Sequence, residues 1–135
     1  MKVVYNKFIP FPGFFAINLF GTMFIREEYR SQIVSQRTFD HERTHTEQML
    51  DFVGGHKKLQ ILGGCIFYVL YFIEWLIKLI ISFFTLGKVK AYCSISFECE
   101  AYDNDTNHKY LETRKRFAWI KYVFKLKKNN IEYLV

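Results

Sequence analysis

The residues best suited to chemistry in this chain form the segment His41-Glu42-Arg43-Thr44-His45, which has the pattern H-E-x-x-H. On a helix, positions i and i+4 differ by about 40° around the axis, so both imidazoles project from one face. Two imidazole nitrogens on one face can hold one Zn²⁺. Glu42 would lie beside the metal, where its carboxylate can take a proton from a zinc-activated water and return it to a leaving amine.

Chance is a weak explanation for this pattern. With 4 His in 135 residues, the composition predicts roughly 0.008 occurrences at random. Apolar residues give the segment an amphipathic helical pattern, with the His pair near its apolar side: Phe39, Met49, Phe52 and Val53. We therefore predict that His41 and His45 bind zinc and that Glu42 is the general base.

A catalytic zinc site needs a third protein ligand and an open position. Glu98 and Glu100 lie at the start of a predicted helix further along the chain. Glu98 and Ala101 are i and i+3 and share a face, and the small alanine lets this helix approach the His helix. Glu100 points away by about 200° and is expected to pair with Asp103 or Asn104. Glu98 is the expected ligand, and Glu100 is the alternative.

The two other histidines are less well placed. His56 comes eleven residues after His45 and does not fit the H-E-x-x-H-x-x-G-x-x-H pattern. We expect it in a surface loop. His108 lies among Asp, Asn, Thr and Lys, and we expect it to be solvated.

With these residues the chain resembles the gluzincin-type zinc metallopeptidases, in which H-E-x-x-H lies on one helix and a glutamate ligand on a later one. Glu98–Tyr102, Glu-Cys-Glu-Ala-Tyr, is similar to their E-x-x-A-D/N motif, whose first Glu is the ligand. Tyr102 stands where Asp or Asn usually follows. Asp103 is therefore the candidate for a carboxylate that orients a metal-binding histidine.

The chain also resembles, over most of its length, a little-characterised family of short bacterial H-E-x-x-H proteins classed as peptidases. The shared stretches are Phe-Pro-Gly-Phe-Phe-Ala-Ile-Asn near the start, Ile-Glu-Trp in an apolar segment and Ser-Phe-Glu-x-Glu-Ala-Tyr. These resemblances imply a single zincin-like domain over 1–135 with zinc as the cofactor.

Composition indicates a folded chain with an apolar, negatively charged partner. Half of the residues are hydrophobic, and 15 Phe, 9 Tyr and 2 Trp exclude intrinsic disorder. A net charge of +6 on such a chain favours a membrane surface. No RNP, helix-turn-helix or finger motif supports nucleic-acid binding. Three Cys without a C-x-x-C spacing favour a reducing compartment.

The elements that must position the site are typical of an α+β domain. Residues 8–25 are rich in Phe and Ile and contain Pro-Phe-Pro-Gly, which predicts a β-hairpin or short sheet. No A-x-A-like cleavage site follows this stretch, so we expect no signal peptide and a location on the cytoplasmic side. Three helices are predicted: 38–53 with Thr38 as N-cap and Gly54-Gly55 as its stop, 94 or 96 to 102, and 110–126.

A fourth predicted helix, 61–86, has 26 residues and only two charges, Glu74 and Lys78. It is long enough to cross a bilayer of ~30 Å. The His pair precedes it and the candidate glutamates follow, so a single crossing would separate the zinc ligands. We therefore expect it to pack under the site with one side exposed to lipid, or else to be buried in protein. The basic and aromatic segment 110–126 is expected to be an interfacial helix or a solvated surface helix.

Two functions follow. The first is a minimal zinc metallopeptidase that hydrolyses peptide bonds at or near a membrane. The strand around 16–24 would bind an extended peptide by strand addition or be an ordinary core strand, and Tyr92, Tyr102 and Tyr110 are candidate oxyanion donors. The second is a membrane-associated zinc-binding protein without catalytic activity.

Overall fold

The computed structural model describes residues 1–128. Its sheet has three strands, β1 (Lys2–Asn6), β2 (Ala16–Leu19) and β3 (Thr22–Arg26), in the order β1-β3-β2. Four α-helices follow in this part of the chain: α1 (Gln36–Asp51), α2 (Gln60–Phe84), α3 (Ser96–Asn104) and α4 (Tyr110–Thr113). The predicted α+β class is confirmed at this level.

The sheet combines a hairpin with a strand that the sequence pattern did not reveal. β2 and β3 are antiparallel and joined by Phe20 and Gly21, which both have positive φ, as tight two-residue hairpin turns require. Residues 8–15 form bends and turns instead of strand, so the predicted hairpin is confirmed only in its second half. β1 pairs with β3 in parallel, which leaves β2 at an edge of the sheet.

Helix α1 carries the H-E-x-x-H segment and begins one turn earlier than predicted. Ser35 is the N-cap, and its hydroxyl accepts a hydrogen bond from the backbone N–H of Thr38. Thr38 is therefore inside the first turn, and its assignment as N-cap is wrong. Gly54 and Gly55 follow the helix with φ of 64° and 79°. Such left-handed conformations favour glycine and end the helix as predicted.

Helix α2 packs on α1 and α3 along one face. Gly63 lies so close to α1 that a Cβ at this position would be 2.2 Å from the carbonyl oxygen of Met49. Phe67 belongs to the buried core, together with Met49, Ile95 and Phe97. The opposite face is exposed, and only 17% of the apolar window of this helix is buried. Complete burial in protein, one of the two arrangements expected, is therefore wrong.

The predicted helix 110–126 is wrong. After the single turn of α4, Arg114 has extended backbone, Phe117 is left-handed with φ 57°, and a short 3₁₀ segment follows at Ala118–Tyr122. The reason is tertiary: the Arg114 guanidinium bonds to the Asp51 carboxylate, and the Phe117 N–H also donates to Asp51. These buried contacts outweigh the local helical pattern.

Candidate metal centre

Helix α1 places the two histidines of the motif side by side. The Nε2 atoms of His41 and His45 are 3.2 Å apart. Helix α3 brings Glu98 to the same point, where its Oε2 lies 3.3 Å from His41 Nε2 and its Oε1 lies 3.3 Å from His45 Nε2. The three candidate ligand atoms lie within 4.8 Å of one another. The structure therefore brings together the three residues that we predicted as metal ligands.

The donor set and its partners fit a zinc ion. Two imidazole nitrogens and one carboxylate are typical ligands of catalytic zinc. Glu98 is buried, and its Oε2 forms no hydrogen bond with the described residues. A buried carboxylate oxygen without a hydrogen bond costs free energy, even with His41 Nε2 3.3 Å away. A cation held between His41, His45 and Glu98 would remove that cost.

Without a metal, the site holds a proton and a negative charge next to each other. Burial lowers the pKa of His45, but the Glu98 carboxylate, with smaller contributions from Glu42 and Gln48, outweighs burial and raises it to about 9. Burial likewise raises the pKa of Glu98, yet the two histidines outweigh it and hold that pKa well below its usual value. The metal-free site therefore pairs a protonated His45 with an ionised Glu98.

His45 is oriented by a residue that the sequence analysis missed. The His45 Nδ1–H donates to Gln48 Oε1 at 2.8 Å, so Nε2, which faces the other ligands, is the nitrogen that can lose its proton and bind a metal. The side chain of Gln48 is fully buried, and its amide donates to Phe97 O and Glu100 Oε2, both at 3.0 Å. Its position three residues after His45, on the same face of α1, was the available signal.

Glu100, the alternative third ligand, lies behind the site. Its carboxylate accepts hydrogen bonds from Arg114, Tyr110 and Gln48. The expected side-chain pairing with Asp103 or Asn104 is therefore wrong, because Asn104 reaches only the backbone carbonyl of Glu100. Since Arg114 already neutralises this carboxylate, Glu100 supports Gln48 and does not face the metal position.

His41 is packed against an aromatic ring. The ring of Tyr102 lies 4.5 Å from that of His41, centroid to centroid.

The carboxylate of Asp103 is bound to Lys125 and Lys127 at 2.8 and 2.9 Å. Asp103 therefore does not orient a histidine, and that expectation is wrong.

The tyrosines around the site have separate roles. Tyr71 of α2 donates its hydroxyl to Glu98 Oε1 at 2.8 Å, a contact that the sequence analysis missed because Tyr71 lies within the apolar run. Among the three candidate oxyanion donors, Tyr92 lines both cavities beside Glu42 and Tyr102 lines only one. Tyr110 is bonded to Glu100 behind the site. Burial raises the pKa of Tyr92, so its hydroxyl keeps the proton that a donor needs.

Glu42 is buried between the metal ligands and the two cavities. Its backbone carbonyl accepts a hydrogen bond from Asn18 Nδ2 at 2.5 Å, which ties this turn of α1 to strand β2. Burial raises the pKa of the Glu42 carboxyl, and the neighbouring histidines oppose that effect. A raised pKa is what a residue needs to accept a proton and give it back near neutral pH.

Two cavities flank Glu42. The first, of about 270 Å³, lies between the Phe11 and Phe14 loop, strand β2 and helix α2, and aromatic rings dominate its walls. The second, of about 290 Å³, is more polar and includes Arg37 and Asp105. Together they form a cleft across the metal centre, with one apolar half and one half that is more polar.

Strand β2 runs along this cleft, and its outer edge is free at Ala16. Ala16 lines both cavities. In a two-residue hairpin the closing pair of residues is hydrogen-bonded, and from there non-hydrogen-bonded and hydrogen-bonded pairs alternate. Ala16 belongs to a non-hydrogen-bonded pair, so its backbone N–H and C=O face away from β3. No residue within 1–128 hydrogen-bonds to these two groups. Further along the edge, Asn18 O accepts a hydrogen bond from the hydroxyl of Tyr68.

The remaining histidines lie away from the ligands. His56 is exposed in the turn after α1, as expected. His108 is 59% exposed, but its Nδ1 is 2.5 Å from the buried carboxylate of Asp40. It is thus only partly solvated, and it ties the loop after α3 to α1.

Comparison with known protein families, with curated proteins and with solved structures gives no match for this chain. Any function assigned to it therefore depends on the chemistry of the residues described above.

Proposed function

We propose that this protein is a zinc-dependent metallopeptidase of zincin type. The observation that carries the proposal is the convergence of His41, His45 and Glu98 within 4.8 Å, with the buried carboxylate of Glu42 beside them at the junction of two cavities. A purely structural metal site needs no acid–base residue and no cleft. Both features are expected where a bound substrate must react.

When bound, zinc supplies Lewis acidity that makes water nucleophilic near neutral pH. His41, His45 and Glu98 would hold the ion. The Glu42 carboxylate takes a proton from the attacking water and delivers it to the leaving amine, a transfer that its raised pKa favours. Tyr92 keeps its hydroxyl proton and is the best-placed donor to the oxygen that becomes negative during the attack.

Peptide binding is supported by the free edge of β2. An extended segment can pair with the outward-facing backbone groups of Ala16, as in strand addition. Its side chains would then enter the two halves of the cleft. The aromatic walls of the first cavity favour a substrate with an apolar side chain next to the scissile bond.

The test combines zinc content with hydrolysis. Purified protein is expected to hold one zinc per chain and to cleave members of a fluorogenic peptide library that carry apolar residues. Glu42→Gln should keep the zinc and lose at least a hundredfold in activity. Glu98→Gln should weaken zinc binding, whereas Glu47→Gln, at an exposed position of the same helix, serves as the matched control and should do neither.

The possible outcomes separate the two functions considered. If zinc binds to His41, His45 and Glu98 but wild type and Glu42→Gln are equally inactive on every peptide, the protein is a zinc-binding protein without catalytic activity. If no zinc binds to the wild type after incubation with the metal, both functions are refuted.

A further inference from the structure

Helix α2 exposes apolar residues where a helix of a water-soluble protein exposes polar ones. Fourteen residues between Ile61 and Phe84 are exposed, and all of them are apolar: Ile61, Leu62, Cys65, Ile66, Val69, Leu70, Phe72, Ile73, Leu76, Ile77, Leu79, Ile80, Phe83 and Phe84. A helix in contact with water shows the opposite arrangement, with polar residues outside. Scattered exposed apolar residues are normal, but a continuous patch of this length marks a contact surface.

The two charged side chains of α2 and the hydroxyl of Tyr71 face the protein. The Tyr71 hydroxyl donates to Glu98, and the Glu74 carboxylate accepts from the backbone and hydroxyl of Ser96. The ammonium of Lys78 is buried and donates to the carbonyls of residues 123 and 125. Every charge within α2 is therefore satisfied on the inner side, and the outer side holds none.

These inner contacts decide how α2 can lie in a bilayer. They extend from Gly63, against α1, to Lys78, a distance of about 22 Å along the axis. If α2 crossed the hydrocarbon region of ~30 Å, the rest of the fold would cross with it. Irregular backbone and buried charges such as Glu98 would then lie at hydrocarbon depth, where their cost is high. The helix can instead lie in the plane of the membrane, with its outer face in lipid and the fold above it.

The charges at the two ends of α2 specify the kind of surface. Exposed Lys57 and Lys58 precede the helix, and exposed Lys88 and Lys90 follow it. From residue 54 to residue 90 the only acidic side chain is Glu74, which faces inward. An apolar face with lysines at both ends matches acyl chains below and anionic headgroups around them.

We propose that the outer face of α2 docks the protein, in plane, on one leaflet of a bilayer that contains anionic lipids. This inference stands on the exposed face of α2 and does not depend on zinc binding or catalysis. It also sets the position of the cleft, because Tyr68 and Tyr71 of α2 line the first cavity. On the helix, Tyr68 lies about 20–40° from the exposed Ile61 and Phe72. The first cavity therefore lies beside the lipid-facing surface.

Vesicle flotation of the full chain tests the docking. Wild type is expected to float with vesicles made of equal parts of phosphatidylcholine and phosphatidylglycerol, and less with phosphatidylcholine alone. Leu76→Gln and Phe83→Gln, in the middle of the exposed face, should each lower the partition coefficient at least about tenfold. Ile33→Gln is the matched control, because Ile33 is 97% exposed and lies outside α2; its partition coefficient should stay unchanged. Replacing the four flanking lysines by Gln should remove the preference for anionic vesicles.

A second measurement tests the in-plane orientation. Cys65 and Cys93 are free and at least partly exposed, so in a background with both changed to Ala, His56→Cys and Lys88→Cys place a thiol beyond either end of α2. Both thiols should react completely with a membrane-impermeant maleimide added to vesicle-bound protein. Protection of one end in each molecule would mean that α2 spans the bilayer and would overturn the proposal. Failure of the full chain to bind vesicles would also overturn the proposal. If the chain that fails to bind is a dimer and Leu76→Gln dissociates it, a second copy covers this face instead of lipid.

Discussion

Replacing Gln48 by Met removes the support of one zinc ligand while nearly keeping the side-chain volume. Gln48 accepts the His45 Nδ1–H and donates to Phe97 O and Glu100 Oε2, with all three distances between 2.8 and 3.0 Å. Methionine fills the same fully buried space without these bonds. His45 then loses the partner that fixes its ring and tautomer, so zinc should bind more weakly.

The size of both effects follows from these contacts. Loss of the partner of a metal-ligating histidine typically lowers metal affinity 10–100-fold, or about 1.4–2.7 kcal/mol. Three lost hydrogen bonds, one of them to a carboxylate, predict a decrease of about 2–4 kcal/mol in the free energy of unfolding of the zinc-free protein. We expect the lower end of this range, because Glu100 Oε2 retains Arg114 Nη2 at 3.2 Å.

Competition with a chromophoric chelator measures the zinc affinity, and urea unfolding of the zinc-free protein measures the stability. Glu47→Met places the same side chain at the adjacent exposed position and should alter neither quantity by much. Gln48→Glu restores an acceptor for His45 and should recover most of the zinc affinity, although its charge faces Glu100. A zinc affinity of Gln48→Met within twofold of wild type would refute the idea that this bond positions His45.

Three other predictions concern packing, charge and protons. Gly63→Ala should destabilise the fold by about 1–3 kcal/mol, because its Cβ would meet the carbonyl of Met49; the exposed Cys65→Ala on the same helix should stay within about 0.5 kcal/mol of wild type in urea unfolding. Arg114→Met leaves two buried carboxylates without their cation and should lower the unfolding free energy by about 3–5 kcal/mol, so an equally stable variant would contradict the structural role of this cluster. The His45 pKa of about 9 exceeds the unfolded value of ~6.5. Protonation of His45 therefore stabilises the zinc-free fold fully below about pH 6.5, and this stabilisation is lost as the pH rises through 9. Zinc must displace that proton at about pH 7.5, and calorimetry in buffers of different ionisation enthalpy should detect the release of about one proton per zinc; no release would contradict the charge state inferred for the site.

The helix-borne part of the site could be predicted because its geometry is local. H-E-x-x-H fixes the relation of His41, Glu42 and His45 through helix periodicity alone. The sequence alone does not choose between Glu98 and Glu100, because each glutamate could be an ordinary acidic residue near the start of α3. Arg114 decides between the two glutamates, because it neutralises Glu100. No sequence motif relates the position of Arg114 to that of Glu100.

Long-range contacts also explain the parts of the fold that were mispredicted. The segment 110–126 has the composition of an amphipathic helix, but the buried carboxylate of Asp51 draws Arg114 and the backbone of Phe117 out of helical geometry. Strand β1 has a short apolar core, Val-Val-Tyr, and its parallel partner lies about 20 residues later in the chain. A pattern read along the chain carries no information about either partner.

The burial of Lys78 has a consequence for the biosynthesis of the protein. Its carbonyl partners, Val123 and Lys125, come 45 and 47 residues later in the chain. At ~5–20 residues per second, roughly 2–9 s of translation separate them, whereas a helix forms in about a microsecond. In that interval the nascent α2 has an apolar outer face, and the Lys78 ammonium on its inner face has only the Glu74 carboxylate of the same helix, 3.8 Å away, as a partner. Whatever first contacts the emerging chain therefore meets α2 before the carbonyls that accept hydrogen bonds from Lys78 have been synthesised.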